Sequence, residues 1–186
     1  MFRPILCDTG EMMEPRMRLF AYVLAAVAAV GAGSPAAAQS WKEYSYPAYA
    51  FTVSFPAEPT VESTTYQAAN GQPAPARIYS VANGSGVFKM TVVELANAGL
   101  DETAVIGHAV KTLSQGGQVK LDIPHRISQV YGRQLSIQGT DGSRSSIALF
   151  YHKLRLYQIE GKALPPGNST SDAIRFQQSL VFADPN

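Results

Sequence analysis

The stretch that most limits what this chain can fold into is Ser145–Ala163, SSIALFYHKLRLYQIEGKA. It is the densest run of strand-forming residues in the sequence. It follows a turn signal, Asp141-Gly142-Ser143, and precedes Leu164-Pro165-Pro166-Gly167, which no strand can continue through. Such a segment is long enough to fold back once, so it reads as the central hairpin of an antiparallel sheet.

A register follows. If Asp141-Gly142 forms a two-residue turn, Leu135 lies opposite Ala148, Arg133 opposite Phe150 and Ile137 opposite Ser146. A four-residue loop, Thr140 to Ser143, keeps the same pairs. The next turn falls at Lys153-Leu154, or in a four-residue loop from His152 to Arg155. Either puts Phe150 opposite Tyr157 and Ala148 opposite Ile159. One sheet face then carries Leu135, Ile137, Ala148, Phe150, Tyr157 and Ile159 together. A one-residue slip of the second hairpin would put Gln158 into that cluster.

The N-terminal region carries an address rather than a core. In 17–38, Arg18 supplies a positive start and Leu19–Val30 an uncharged apolar run. Pro35 then breaks any helix, and Ala36-Ala37-Ala38 supplies a cleavage site. This succession is that of a secretory signal peptide, with the cut expected after Ala38. The apolar run is short for a membrane span, so no stable span is expected after cleavage. Residues 1–16 hold Asp8, Glu11 and Glu14, which do not suit a signal start, and read as a doubtful extension ahead of Met17. Cys7, the single cysteine, lies there. The expected mature domain, 39–186, therefore has no disulfide and relies on an ordinary core.

Along that domain, Trp41–Tyr49 is rich in aromatics, and Phe51, Val53 and Phe55 alternate as one strand face ending at Pro56. Val61–Gln67 reads as a strand, Ala68–Ala76 as a loop, and Arg77–Ala82 as a strand turning at Asn83-Gly84. In the answering strand, Phe88, Met90 and Val92 share one face. Asp101 caps a helix with Ile106, Ala109, Val110 and Leu113 as its apolar stripe, and His108 falls on another, solvent-facing side. Val119–Ile123 is a short strand broken by Pro124. Arg126–Gly139 resumes extended, with a bulge at Gly132. Ser169 and Asp172 open a last helix that buries Ala173, Phe176 and Leu180, and Val181-Phe182 continues extended. Strands, helix, strands, helix, with tight turns throughout, give an α+β class: an antiparallel β-sheet with helices packed on it.

Composition excludes some functions. With a formal net charge of +1 there is no electrostatic case for nucleic acid or an anionic surface. His108, His125 and His152 are far apart and no cysteine stands near them, so no metal and no cofactor is expected. Nucleotide-binding glycine motifs and a nucleophile elbow are missing from the sequence. Asn83-Gly84-Ser85 and Asn168-Ser169-Thr170 fit the glycosylation pattern, but their turn-forming role explains them. Arg126, Arg133, Arg144, Lys153 and Arg155 lean basic with acids interspersed, as a solvated face does; an acidic partner is the sharper reading.

The run Tyr49-x-Phe51-x-Val53-x-Phe55-Pro56 resembles the start of PsbP-like proteins. Arg155-Leu156-Tyr157 in the late hairpin is similar too, as are Arg175-Phe176 and Ser179-Leu180 near the C-terminus. The likeness covers most of the expected mature chain. It implies a PsbP-like sandwich, an antiparallel sheet between helices. It also implies a non-enzymatic accessory or binding role, since that is the general rule among such proteins. The metal-linked role of the photosynthetic members is not carried over, because no ligand residue matches. The expected function is an exported interaction module whose partner is another exported or envelope protein. The alternatives are a small-molecule carrier, favoured by an aromatic-lined pocket, and a hydrolase, favoured by a His-Ser-acid constellation.

Overall fold

A computed structural model describes residues 41–84, 86–167 and 170–183. The signal-like segment, the doubtful extension, Cys7 and the motif at Asn168-Ser169 lie outside the described residues, as does Ser169 as a helix cap.

Among the described residues, ten strands form two antiparallel sheets. The small one joins β1 (Lys42–Tyr46), β2 (Phe51–Phe55) and β10 (Val181–Phe182) in the order β1-β2-β10. The large one holds β3 (Thr60–Gln67), β4 (Pro73–Asn83), β5 (Gly86–Glu94), β6 (Gly117–Ile127), β7 (Val130–Gly139), β8 (Arg144–His152) and β9 (Arg155–Ala163). Its order is β3-β4-β5-β9-β8-β7-β6. Helix α1 (Glu102–Ser114) packs on β6, β7 and β8, while α2 (Ser171–Gln177) packs on β9, β8, β5 and β2. The class is α+β, as expected, and the hairpin β8–β9 is at its centre.

Because the large sheet is covered on both sides, its middle strands bury residues of both parities. On one face Val92, Ala148, Phe150, Tyr157 and Ile159 meet Phe51, Val53, Phe55, Phe176 and Phe182 from the small sheet and α2. On the other, Val93, Leu135, Ile147, Leu149 and Leu156 meet Val105, Ile106 and Ala109 of α1. Asp101 caps α1 as expected: its carboxylate accepts from the Ala104 amide at 2.8 Å. Gly161 sets the approach of α2, since a Cβ there would lie 2.4 Å from the Ala173 carbonyl oxygen.

The second hairpin has the expected register, Phe150 against Tyr157 and Ala148 against Ile159, closed by the two residues Lys153 and Leu154. The first does not. Leu135 pairs with Ile147, Arg133 with Leu149 and Ile137 with Ser145. The loop has three residues, Thr140–Gly142, because the Gly139 amide already donates to the Ser143 carbonyl at 2.9 Å. Gly142 takes the left-handed conformation, φ +80°, that such a loop demands. The odd residue reverses the faces. Leu135 and Ile137 therefore lie under α1, opposite in facing to Phe150, and the expected six-residue cluster is divided between two cores.

Other boundaries shift for identifiable reasons. Pro124 does not break its strand: β6 is an edge, where a missing amide costs no ladder bond, and it runs on to Ile127. The bulge is in β6, between Val119 and Leu121, not at Gly132. The run from Arg126 to Gly139 is interrupted by a hairpin loop at Ser128-Gln129, with Ser128 at φ +54°. The expected loop at 68–76 is shorter, since Pro73 and Pro75 already belong to β4, in a part that β5 no longer reaches. Asn83 pairs with Gly86 instead of sitting in the turn, and its side chain accepts from the Gly86 amide at 3.1 Å. Among the described residues no helix is long and apolar enough to cross a membrane.

Candidate functional site

The sequence expectations left two discriminators, an aromatic-lined pocket and a histidine-based constellation. The histidines are engaged in packing at three separate places. His108 is half-buried rather than solvent-facing: its Nε2 lies 2.9 Å from the Gln67 carbonyl and donates to it, and its ring meets Tyr66 edge-on. This bond ties α1 to the edge strand β3. His125 packs 5.6 Å from the Phe150 ring, and burial pushes its pKa down from 6.5. His152 packs 5.4 Å from Phe182. Among the described residues no three His, Cys, Asp or Glu side chains converge to hold a metal.

What the fold does build is a cleft of about 450 Å³ between α1 and the β6–β7 hairpin. Ile106 and Val110 form one wall, Pro124 and Gly132 the other. Gly107 opens the helix side further, since a Cβ added there would meet nothing within 4 Å. Tyr131 stands at the rim, 63% exposed, with the Arg126 guanidinium 5.7 Å from its ring centre. Arg133 also lines the cleft, and its Nη2 lies 2.6 Å from an Asp122 carboxylate oxygen. Glu102 and Thr103, from the first turn of α1, add the remaining polar edge. The volume is in the range of small-ligand sites, and the lining is apolar with few polar groups. It suits an apolar anchor flanked by polar contacts. No nucleophile in it is paired with a base.

The five basic residues expected to form one face do not. Arg126 and Arg133 attend the cleft, Arg144 donates to Gln138 Oε1 at 3.2 Å, Lys153 sits in a turn, and Arg155 lies on the opposite face of the sheet. The aromatic N-terminal segment packs as core and sheet edge. Trp41 meets Phe88 and Phe176, Tyr44 meets Phe55, and Tyr46 meets Phe51 and Tyr79. Burial, with Tyr79, Tyr44 and Glu58 nearby, pushes the Tyr46 hydroxyl up to about 12.

Sequence reasoning missed a second cleft, of about 230 Å³, around Tyr49, Arg77 and Glu94. Tyr49 ends a helical turn, Pro47–Tyr49, whose carbonyl accepts from the Tyr157 hydroxyl at 2.9 Å. A signal was available: Arg77 shares strand parity with Tyr79 and Val81, so it puts a charge on an otherwise apolar face.

No protein-family model matches the sequence, and no curated protein matches it. Solved structures do match. The solution structure of cyanobacterial PsbP from Synechocystis sp. PCC 6803 superposes with a TM-score of 0.53 at 11% identity, covering 83% of this chain and 99% of that one. A protein of unknown function from Pseudomonas aeruginosa superposes with a TM-score of 0.42 at 7% identity, over 74% of this chain and 92% of that one. At such identities the first likeness speaks to architecture alone, and the architecture is PsbP-like.

Proposed function

We propose that this protein is an exported, non-enzymatic interaction module that takes an apolar anchor of another exported or envelope protein into the cleft between α1 and the β6–β7 hairpin. The observation that carries the reading is the cleft itself: apolar walls of Ile106, Val110 and Pro124, an exposed Tyr131, and an Arg133–Asp122 ion pair at its edge. Exposed aromatic anchors beside a polar rim are what protein interfaces use, and an open cleft admits a side chain carried by a larger surface. Export rests on the charged, apolar and A-x-A succession of 17–38. Mass spectrometry of the native protein should find Gln39 as the first residue; an intact Leu19–Val30 would sink the export half of the reading.

Gly107→Leu tests the other half. The new side chain has room, improves helix propensity and fills the cleft. With a photo-crosslinker at Thr103, a partner band should form in the wild-type background and vanish in Gly107→Leu at an unchanged melting temperature. An undiminished band would exclude the cleft. The carrier reading is favoured by the volume alone. It would show as a small molecule that co-purifies in native mass spectrometry and is lost in the same variant.

A further inference from the structure

On the sheet face away from α1, at the end where the β8–β9 turn lies, two arginines converge on one tyrosine. The Arg77 guanidinium lies 5.8 Å from the Tyr49 ring centre and that of Arg155 lies 5.4 Å from it. Three other cations meet carboxylates: Lys89 meets Glu160 at 3.3 Å, Arg133 meets Asp122 at 2.6 Å and Lys162 meets Asp141 at 3.1 Å. Among the described residues, neither Arg77 nor Arg155 has a carboxylate within 4.0 Å. Glu94, the cross-strand neighbour of Arg155, lines the same cleft without pairing to it.

The surroundings hold this arrangement in place. The Tyr157 hydroxyl fixes the Tyr49 carbonyl, the Ala50 amide donates back to Pro47, and the Ala50 carbonyl accepts from Ala183 at the end of β10. One internal bond and two from other segments, β9 and the residue after β10, thus pin the turn that presents the Tyr49 ring. Arg77 and Arg155 rise from strands within the sheet, where their stems are oriented by pairing on both sides. Tyr49, Arg77 and Glu94 line a cleft of about 230 Å³ to which Ser63 and Thr64 add hydroxyls, and Arg155 reaches the same Tyr49 ring. Two guanidinium forks with donors left over, backed by a fixed aromatic ring and hydroxyl groups, match the geometry of a carboxylate or a phosphate.

We propose that Tyr49, Arg77 and Arg155 form an oxyanion-binding site beside this cleft, taking one carboxylate or phosphate group that both guanidiniums reach. It is distinct from the cleft beneath α1 and does not depend on that cleft's role. Glu94 then acts as a competitor at the rim that keeps the empty site from being strongly basic.

The test is an NMR titration of ¹⁵N-labelled protein, following the arginine Nε–H resonances, with sodium phosphate and with sodium glutarate at an ionic strength held constant with chloride. Saturable shifts of Arg77 and Arg155 with either probe support the site, and the probe that saturates tells phosphate from carboxylate. Arg77→Gln and Arg155→Gln should each weaken binding by about tenfold or more, as losing a hydrogen bond to a charged group does. Arg144→Gln, on a distant part of β8, should leave it unchanged. Glu94→Gln should tighten binding by about two- to fivefold, a gain that a merely structural role for these side chains would not produce. Shifts that stay linear to the end of both titrations, or that survive in the double variant Arg77→Gln/Arg155→Gln, would overturn the proposal.

Discussion

Phe150 shows how much one side chain can carry when its neighbours make room for it. It is fully buried, with Phe182 at 5.5 Å and His125 at 5.6 Å. Across the strand pair stands Gly132, where an added Cβ would lie 2.6 Å from the Phe150 ring. The glycine is thus a slot for the aromatic ring, which explains its place in a regular strand without a bulge. Truncation should leave a cavity that flanking aromatics cannot close, so Phe150→Ala should cost about 3–5 kcal/mol in a denaturant melt. A loss below about 1 kcal/mol would mean that the site behaves as surface. His125, lying on the same ring, links this core to pH. Burial lowers its folded-state pKa, so the unfolded chain binds the proton more readily. Stability from this group is complete above the unfolded value of 6.5 and declines as pH falls through it. The imidazole resonances of His125 should titrate with a midpoint below 6.5, and His125→Gln should flatten the decline in stability between neutral and mildly acid pH. A midpoint at or above 6.5 would show that the ring is solvated.

At the scale of elements, turns decide what could be read from the chain. The alternation of Phe51, Val53 and Phe55, the stripe of α1 and the pairing of β8 with β9 were legible because they rest on periodicity over several residues. The register of β7 was not, because Asp141-Gly142 is compatible with a two-residue or a three-residue loop, and only the bond from the Gly139 amide to the Ser143 carbonyl decides between them, a difference of one loop residue. That single residue also hid which faces Leu135 and Ile137 occupy. The cleft under α1 needs Tyr131 and Arg133 on the α1 side, so it could not be placed until the register was known. The small sheet was illegible for another reason: β1 and β10 lie at opposite ends of the domain and meet only through β2. The turn that was placed correctly is chemically the poorest. Lys153 and Leu154 both have positive φ, 47° and 59°, a conformation that costs an ordinary residue about 1–2 kcal/mol. Replacing them together by Asn and Gly should therefore raise stability by about 1 kcal/mol after the glycine's chain entropy is subtracted. Thermal unfolding should move up by about 2–4 °C, the shift expected for a domain of this size. An unchanged or lower midpoint would mean that contacts of Lys153 or Leu154 outweigh the strain.

Over the whole molecule, cover is distributed unevenly across the large sheet. Strands β5, β8 and β9 have a core on each face and a paired strand on each side. The edge strands do not: nearly every side chain of β3 is exposed, and Leu121 and Ile123 of β6 are 38% and 41% exposed. Local opening needs only the contacts of the opening segment to be lost, so it should begin at these edges and reach the middle strands only with global unfolding. The two edges differ in how they meet solvent. β6 carries a bulge beside Lys120 and a proline at 124, both of which disfavour pairing with a further strand; β3 pairs without a register shift from Thr60 to Gln67 and has neither device. The His108 bond to the Gln67 carbonyl is what secures one end of β3 from α1. Amide hydrogen exchange should therefore rank the strands: β8 and β9 slowest, at the global unfolding free energy, β6 fast, and β3 fast at Val61 and Ser63 but slower toward Gln67. His108→Ala should remove that gradient along β3 while leaving β8 and β9 unchanged, because the bond it deletes belongs to the edge and not to either core. Equal protection of Ser63 and Phe150 in the unaltered protein would mean that the sheet opens as one unit and that its edges are held by something more than the contacts described for them.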